Sequence, residues 1–433
     1  MAKLLEKQRY KCALAAMQTV QAIDGACPIL HAGPGCGNKL TNARAGSSGH
    51  FASVIFPSTN VNEKDVVFGG EKKLRTTIQN ALKVLDADLF MVLTGCSQEI
   101  VGDDVQEVVS EFEDAEKPVL YVSTAGFKGN NYKGHEWVID ALIEQYLEPV
   151  EEKEKGLVNI WADVPYQDLF WYGNYRALED LLRSIGLKPN TIFGHKRTLE
   201  NVKKIPKAEL NLVVSPWVGL ESAKKMERKF GTPYLHYPTL PIGAFETSKF
   251  LYAIAEVTGA DKSLVDAYVK EKEDEYYYFI ERFADIFLET RVMSRRFSVV
   301  SDAQYALAIT KFLVNDLGLF PNKQFVTDDT PEEYQELIRR EFETLNYNVK
   351  AEVLFETDGY QIDEAIKSDF YHGYPLIVGS FWEKELAGNL EANFLSISSP
   401  SSERIIMDRS YVGYDGGLRL IEDLYEVVLK RFN

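Results

Sequence analysis

Cysteine is scarce in this chain: 433 residues hold four, at positions 12, 27, 36 and 96, and none follows Cys96. So few thiols exclude a disulfide-stapled secreted scaffold. They form no C-x-x-C pair and no Cys/His zinc spacing. Long apolar runs are missing too: the longest, such as LNLVV and YPLIVG, are strand-sized, so no transmembrane helix is expected. Positive charge is in deficit, 48 Lys+Arg against 65 Asp+Glu, and the net charge of −17 disfavours nucleic acid or an anionic membrane as the main partner. The opening MAKLLEKQRYKC has charges breaking its short apolar stretch and no signal-peptide organisation, so a cytoplasmic location is expected. Neither G-x-x-x-x-G-K-S/T nor G-x-G-x-x-G occurs, and despite Gly69-Gly70 no nucleotide site is expected.

What the chain does contain is an alternation. Strand-like runs include DLFMVLT (88–94), PVLYVST (118–124), LVNIWAD (157–163), NTIFG (190–194), LNLVVS (210–215), RFSVVSD (296–302) and PLIVGS (375–380). They are short and apolar with little alternation, as strands buried on both faces should be. Helical periods such as EKKLRTTIQNALKVL, NYRALEDLLRSIG and QYALAITKFLVNDLG lie between them, which predicts βαβ units and parallel sheets. DADLFMVLTGC, KAELNLVVSPW and YHGYPLIVGSF share one plan: a helix end, a buried strand, then a loop of small residues. The expected fold is therefore α/β with three Rossmann-like domains, each a mostly parallel sheet flanked by helices. Their expected spans are 1–155, carrying Cys12, Cys36 and Cys96; 156–260; and 261–433, ending in a closing C-terminal helix. The acidic run EEKEKG (151–156) reads as the first linker and VTGADKS (257–263) as the second boundary.

The stretch HAGPGCG (31–37) places Cys36 among glycines and a proline. Such a loop suits a group bound near the sulfur, and equally an ordinary tight turn. Cys96 follows DLFMVLT directly, at the carboxyl end of a strand, where open parallel sheets bind ligands. Asp103 and Asp104, in the GDD that follows, are expected to cap a helix. Buried cysteines serving as small hydrophobes would be scattered, whereas these crowd the first quarter of the chain. A thiolate set gathered from distant junctions is what an iron–sulfur cluster needs. Three is one short of a simple four-thiolate cluster, which leaves Cys27 or a partner chain to complete it.

HAGPGCG, then NEKDVVFGGEKKL (62–74), GCSQEIVGDDV (95–105) and TAGFKGNNYKGHEW (124–137), resembles nitrogenase component 1, the catalytic α and β subunits of nitrogenases and nitrogenase-like reductases. Weaker similarity extends from 233–259 to DRSYVGYDGGLRLIEDL (408–424), so it spans nearly the whole chain. The resemblance implies Cys12, Cys36 and Cys96 as metal ligands. They would form this chain's half of a P-cluster-type [8Fe-7S] group shared with a homologous α-type subunit, with [4Fe-4S] as the alternative. Cys27 is then structural, and Gly33 and Gly35 give inorganic sulfur room at the backbone. Where the molybdenum-type β chain has a serine in a TPSF-like segment, Thr124-Ala125-Gly126-Phe127 places Gly126. The stretches matching the α chain's cofactor ligands hold Ser215 or Pro216 and Val412, which are poor ligands for iron.

The resemblance therefore implies a β-type chain without its own substrate-reducing cofactor, in an α2β2 assembly that receives electrons from a separate ATP-dependent iron–sulfur reductase. The rival readings are a reductase of another substrate, such as a methylthio-alkane reductase, a scaffold for cofactor assembly, and a metal-free ligand-binding protein. Among the six histidines, His31 is expected to donate a hydrogen bond near the cluster or to pair with local backbone. His135 reads as structural or partner-facing, and His50, His195, His236 and His372 as structural. The run DEYYYFIERF (274–283) reads as a packing helix.

Overall fold

The computed structural model describes residues 4–45, 56–290, 293–401 and 403–430; His50 falls outside them. Three sheets follow one another along the chain, and every strand pairing in them is parallel. The first contains β1 (Ala26–His31), β2 (Leu89–Thr94) and β3 (Val119–Val122) in that order. The second contains β4 (Glu154–Trp161), β5 (Lys188–Asn190), β6 (Ala208–Val214) and β7 (Tyr234–Tyr237), ordered β5-β4-β6-β7. The third contains β8 (Arg296–Ser301), β9 (Phe320–Pro321), β10 (Gln324–Val326), β11 (Val353–Phe355), β12 (Leu376–Gly379) and β13 (Asn393–Ser396), ordered β11-β10-β8-β12-β13 with β9 beside β8.

The central strands are apolar because helices cover both faces: all six residues of β2 are buried. The helix Glu71–Val84 shows the matching stripe, with Leu74, Ile78 and Ala81 buried at helical spacing. Gly259, left-handed at φ +67°, separates the helices Gly243–Thr258 and Lys262–Thr290. The second of these carries the aromatic run, with Tyr276 buried against Asp316.

Two strands depart from the sequence reading. β1, ACPILH, was not among the expected strands because its proline and cysteine break the β-branched pattern; Pro28 is tolerated because only β2 pairs regularly with this strand. The strand expected over 190–194 lies instead at Lys188–Asn190. It is positioned by a buried asparagine chain, Asn190 Nδ2 donating to Asn159 Oδ1 (2.8 Å) and Asn159 Nδ2 to Asn211 Oδ1 (2.9 Å). Within EEKEKG (151–156), Lys153 Nζ donates to the carbonyls of Pro206 (2.6 Å) and Phe230 (2.8 Å), and β4 begins at Glu154.

The N-terminal segment acts as a strap across the molecule. Gly359 donates its amide to the Leu5 carbonyl (2.9 Å), Lys7 pairs with Asp363 (2.7 Å), and the buried Arg9 guanidinium meets the buried Glu383 carboxylate (3.1 Å). The strap then reaches the first sheet's helices. Lys11 N donates to Asn131 Oδ1 (2.7 Å), and Asn131 N donates to the Lys11 carbonyl (3.0 Å). The helix Asn131–Ala141 packs here on the 3-10 turn Ala13–Ala16, so closely that a methyl at Gly134 would stand 2.4 Å from the Ala13 carbonyl oxygen. Gly134→Ala is therefore expected to cost about 1–3 kcal/mol in denaturant unfolding. Gly388→Ala, in a helix with open space around the new methyl, should be neutral or slightly stabilising.

Candidate functional site

The strands β1, β2 and β3 end side by side, and each hands the chain to a loop at the same edge. After β1, Pro34 takes the first position of the helix Pro34–Ala45, where its fixed φ and missing N–H fit. HAGPGCG is thus a strand end running into a helix start, with Cys36 in the first turn, its amide donating to the Gly33 carbonyl (3.1 Å). After β2, Gly95 passes so near Ala32 that a Cβ would stand 2.8 Å from the alanine methyl, and Cys96 opens the helix Cys96–Val101. After β3 comes Gly126, whose amide donates to Cys96 Sγ at 3.1 Å. Cys12 arrives from the strap, its backbone paired antiparallel with Asn130.

These pieces converge. A Cβ on Gly126 would lie 3.1 Å from Cys12 Cβ and 3.5 Å from Cys96 Sγ, so the glycine sits against both cysteines. Burial raises the Cys36 thiol above its ordinary pKa, and the negative charges of Cys12 and Cys96 raise it further against the opposing Lys39. The three sulfurs therefore share one electrostatic neighbourhood. None is in a disulfide; Cys12 and Cys96 are exposed and Cys36 is half-buried. Cys27 stands apart, opposite Phe90 in the sheet, with burial pushing its thiol up to about 11.

Three neighbouring thiolates repel one another unless a cationic centre joins them. Among the described residues no three His, Cys, Asp or Glu side chains are grouped tightly enough to hold a single metal ion. The donor set instead fits a larger iron–sulfur group, whose characteristic ligands are cysteine thiolates. Neither Gly33 nor Gly35 is left-handed, so neither is required by backbone strain, and a side chain at Gly35 would meet nothing within 4 Å.

Two polar networks fix this edge. Glu99 accepts from Thr94, from Ser123 Oγ (2.7 Å) and from the Ala125 amide (3.2 Å), and it pairs with Lys128. It thereby holds the loop that carries Gly126. Partial burial opposes its charge, but the hydrogen bonds from Lys128, Thr94 and Ser123 prevail and keep its carboxyl below the ordinary value. The second network corrects two expectations. His31 does not face the thiols or local backbone; its Nε2 lies 3.0 Å from Asp103 Oδ2 and its Nδ1 lies 3.2 Å from Thr59 Oγ1. Asp103 is not a cap: its Oδ1 accepts the Gly70 amide (2.8 Å), while Asp104 alone caps the next helix through the Glu107 amide (2.9 Å). A Cβ on Gly70 would stand 2.7 Å from Asp103 Oδ2, so the Gly69-Gly70 pair serves this contact and not a phosphate. His135 is buried beside Thr19 (2.9 Å), and burial lowers its pKa to about 3.

A second candidate place is the junction where β4, β6, β8 and β10 end, lined by Asp163, Ser215, Trp217, Asp302, Gln304 and Asp328. Gln304 closes it by donating to Asp163 Oδ1 (3.1 Å) and to the Val214 carbonyl (2.9 Å). The space left is about 20 Å³, enough for one water. Val412 lies away from it, at the start of the helix Gly413–Leu429.

The sequence model of nitrogenase component 1 type oxidoreductases matches residues 12–429. The chain belongs to this family. It is 24% identical to the nitrogenase molybdenum-iron protein beta chain of Clostridium pasteurianum, over 96% of this chain and 91% of that one. It is 23% identical to the nitrogenase iron-iron protein beta chain of Rhodobacter capsulatus, over 92% and 87%. The cofactor biosynthesis protein NifE of Clostridium pasteurianum is 26% identical over a shorter span, 61% of this chain and 57% of that one. The solved structure "Nitrogenase Cp1 at pH 6.5" superposes with a TM-score of 0.83 at 19% identity, covering 100% of this chain and 94% of that one, which establishes the shared fold. As a nitrogenase component 1 subunit, the chain is part of an oxidoreductase complex of the kind that carries iron–sulfur clusters.

Residues that pattern reading did not single out include Glu99, Arg9 and Asn130, and Gly126 as a contact. Glu99 and Asn130 lie inside the family motifs, which was the available signal; nothing in the sequence ties Arg9 to Glu383. Glu99→Ala should loosen the 123–128 loop, read as faster hydrogen exchange at the Ala125 and Gly126 amides, and cost about 1–3 kcal/mol. Because Glu99 is depressed in the folded state, its contribution is present above its unfolded pKa of about 4.3 and is lost as pH falls through the folded value. Glu99→Gln should therefore flatten the acid side of the stability profile.

Proposed function

We propose that this chain is the electron-relay, β-type subunit of a nitrogenase-like reductase, supplying Cys12, Cys36 and Cys96 to an iron–sulfur group shared with an α-type partner. The observation that carries this is the meeting of those three thiols at one open sheet edge. When bound, a P-cluster-type group would supply storage and passage of single electrons. The chain's own residues do the rest. The Gly126 amide donates a hydrogen bond to the Cys96 sulfur, and Lys39 offsets negative charge at Cys36. Gly33 and Gly35 leave the backbone side clear for sulfide, and Gly126 leaves no side-chain oxygen where a serine would offer one.

Apolar surface beside the thiols supports a seated partner. The helices Glu63–Phe68 and Cys96–Val101 and the loop at Phe127 leave Phe68 79%, Ile100 74% and Phe127 59% exposed. A homologous α-type chain covering this edge would supply the remaining ligands and complete an α2β2 assembly, with an ATP-dependent iron–sulfur reductase docking across the two chains. The closed junction, with room for one water, supports the view that substrate is reduced in the partner and not here. The second reading is a reductase of a substrate other than dinitrogen, a methylthio-alkane reductase being one example, with Gly126 in place of the family serine leaving it open. The scaffold reading rests on the NifE similarity, which spans 61% of the chain, whereas the beta-chain similarities span more than nine-tenths.

The test is metal analysis of the complex purified anaerobically with its partner. Iron and acid-labile sulfide with an electron paramagnetic resonance signal are expected. Cys12→Ala, Cys36→Ala or Cys96→Ala should each lose most of the cluster, while Cys27→Ala should keep it. Full iron in Cys96→Ala would refute the ligand assignment. Transfer of the bound metal group to an apo-acceptor protein would favour the scaffold.

A further inference from the structure

The junction between the second and third sheets holds chemistry that the relay role does not use. Four aspartates meet there: Asp163 and Asp168 after β4, Asp302 after β8 and Asp328 after β10. Asp163 Oδ1 accepts from Gln304 (3.1 Å), and Asp168 Oδ1 accepts the Phe170 amide (2.6 Å). Their other oxygens, Asp163 Oδ2 and Asp168 Oδ2, are sealed from solvent and have no hydrogen-bond donor. The two carboxyl groups nevertheless lie within hydrogen-bonding reach of one another. Two ionised carboxylates cannot share such a place cheaply, and a stranded buried oxygen is itself costly. A single proton removes both problems: an O–H on Asp168 Oδ2 donates to Asp163 Oδ2, and every carboxyl oxygen of the pair is then satisfied.

We propose that Asp163 and Asp168 form a proton-binding site, in which the pair holds one proton through neutral pH and latches the junction between the second and third sheets closed. A metal ion is the poorer occupant, since no three ligating side chains among the described residues are suitably grouped. The groups facing the pair favour the proton. Asp302, which accepts the Tyr305 amide (3.0 Å), and Asp328, which accepts Trp217 Nε1 (3.0 Å), add negative charge. Tyr132, Tyr175 and Tyr305 contribute only hydroxyls, and Asn174 and Gln304 only amides. The cation Lys11 is occupied with the Gln18 side chain (3.1 Å) and the Tyr166 carbonyl (3.0 Å). Burial first, and then Asp163, push Asp168 well above the carboxylate range, and burial pushes Asp302 up to about 7.

The site also touches the strap. Gln167, next to Asp168, donates to the Arg9 carbonyl (2.9 Å), and Asn130, paired with Cys12, donates to the Asp328 carbonyl (3.1 Å). Loss of the proton to bulk water would place an unbalanced charge on the segment that helps position Cys12. The folded pair holds a proton that the unfolded chain releases above about pH 4, so stability falls as pH rises from there through the pair's own pKa.

Infrared spectroscopy of the full chain with its co-purified partner tests this. At pH 7 the difference spectrum between the unaltered protein and Asp168→Asn should show the loss of one protonated-carboxyl C=O band, over and above the band that Asp302 contributes to both. The asparagine amide takes over the donation to Asp163, so that variant should fold, and its stability should fall less steeply on the alkaline side by one proton. Asp163→Asn, donating to Asp168 in the reverse sense, should lose the same band and serves if the first variant is unstable. No loss of carboxyl band intensity in either variant's difference spectrum, or one equivalent of a tightly bound cation that survives chelator dialysis in the unaltered complex and is lost in both aspartate variants while the iron is kept, would overturn the proposal.

Discussion

Asn130 and Asn131 clamp a piece of chain that belongs to no sheet, and the thiol edge depends on that clamp. Cys36 and Cys96 follow directly from strands, so parallel pairing places them. Cys12 has no strand. Its position comes from backbone pairing with Asn130 and the reciprocal bonds between Lys11 and Asn131, made possible by the missing side chain at Gly134. The other end of the strap is pinned to the third sheet's helices by Arg9 and Glu383. A buried pair of this kind contributes little net stability, but removing one partner strands the other charge. It therefore fixes where the strap lies more than it adds to the stability of the fold.

Around that clamp, the family motifs become parts of two hydrogen-bond networks. HAGPGCG, NEKDVVFGGEKKL and GCSQEIVGDDV meet through His31, Gly70 and Asp103. GCSQEIVGDDV and TAGFKGNNYKGHEW meet through Glu99, Ser123 and Lys128. Glycine recurs in these motifs because the backbones and side chains approach within a methyl's width at Gly70, Gly95, Gly126 and Gly134. None of these four has a left-handed φ, so close approach and not backbone strain requires them.

Much of this was legible beforehand, for identifiable reasons. DLFMVLT and RFSVVSD read as buried strands because both sheet faces are covered and apolar content alone marks them. Cys27 could be set aside because it precedes the motif, and in the structure it is interior. β1 was missed because proline and cysteine dilute the β signal. β5 was misplaced because asparagine hydrogen bonds, which carry no hydrophobic period, set its register. The sequence reading offers His31 the cluster or local backbone and Asp103 a helix cap, because sequence shows only neighbours along the chain; their partners lie 28 to 72 residues away.

The sequence by itself determined the α/β class and the family and pointed to the three thiols, because residue type, periodicity and motif order are properties of the chain alone. Only the tertiary structure decided that the thiols share one edge, that Gly126 and not Gly33 lies against two of them, and that the junction between the second and third sheets is filled. It also brought Asp163 and Asp168 face to face. Proximity between residues far apart in sequence is created by packing, and composition does not encode which buried oxygens will be left without a donor.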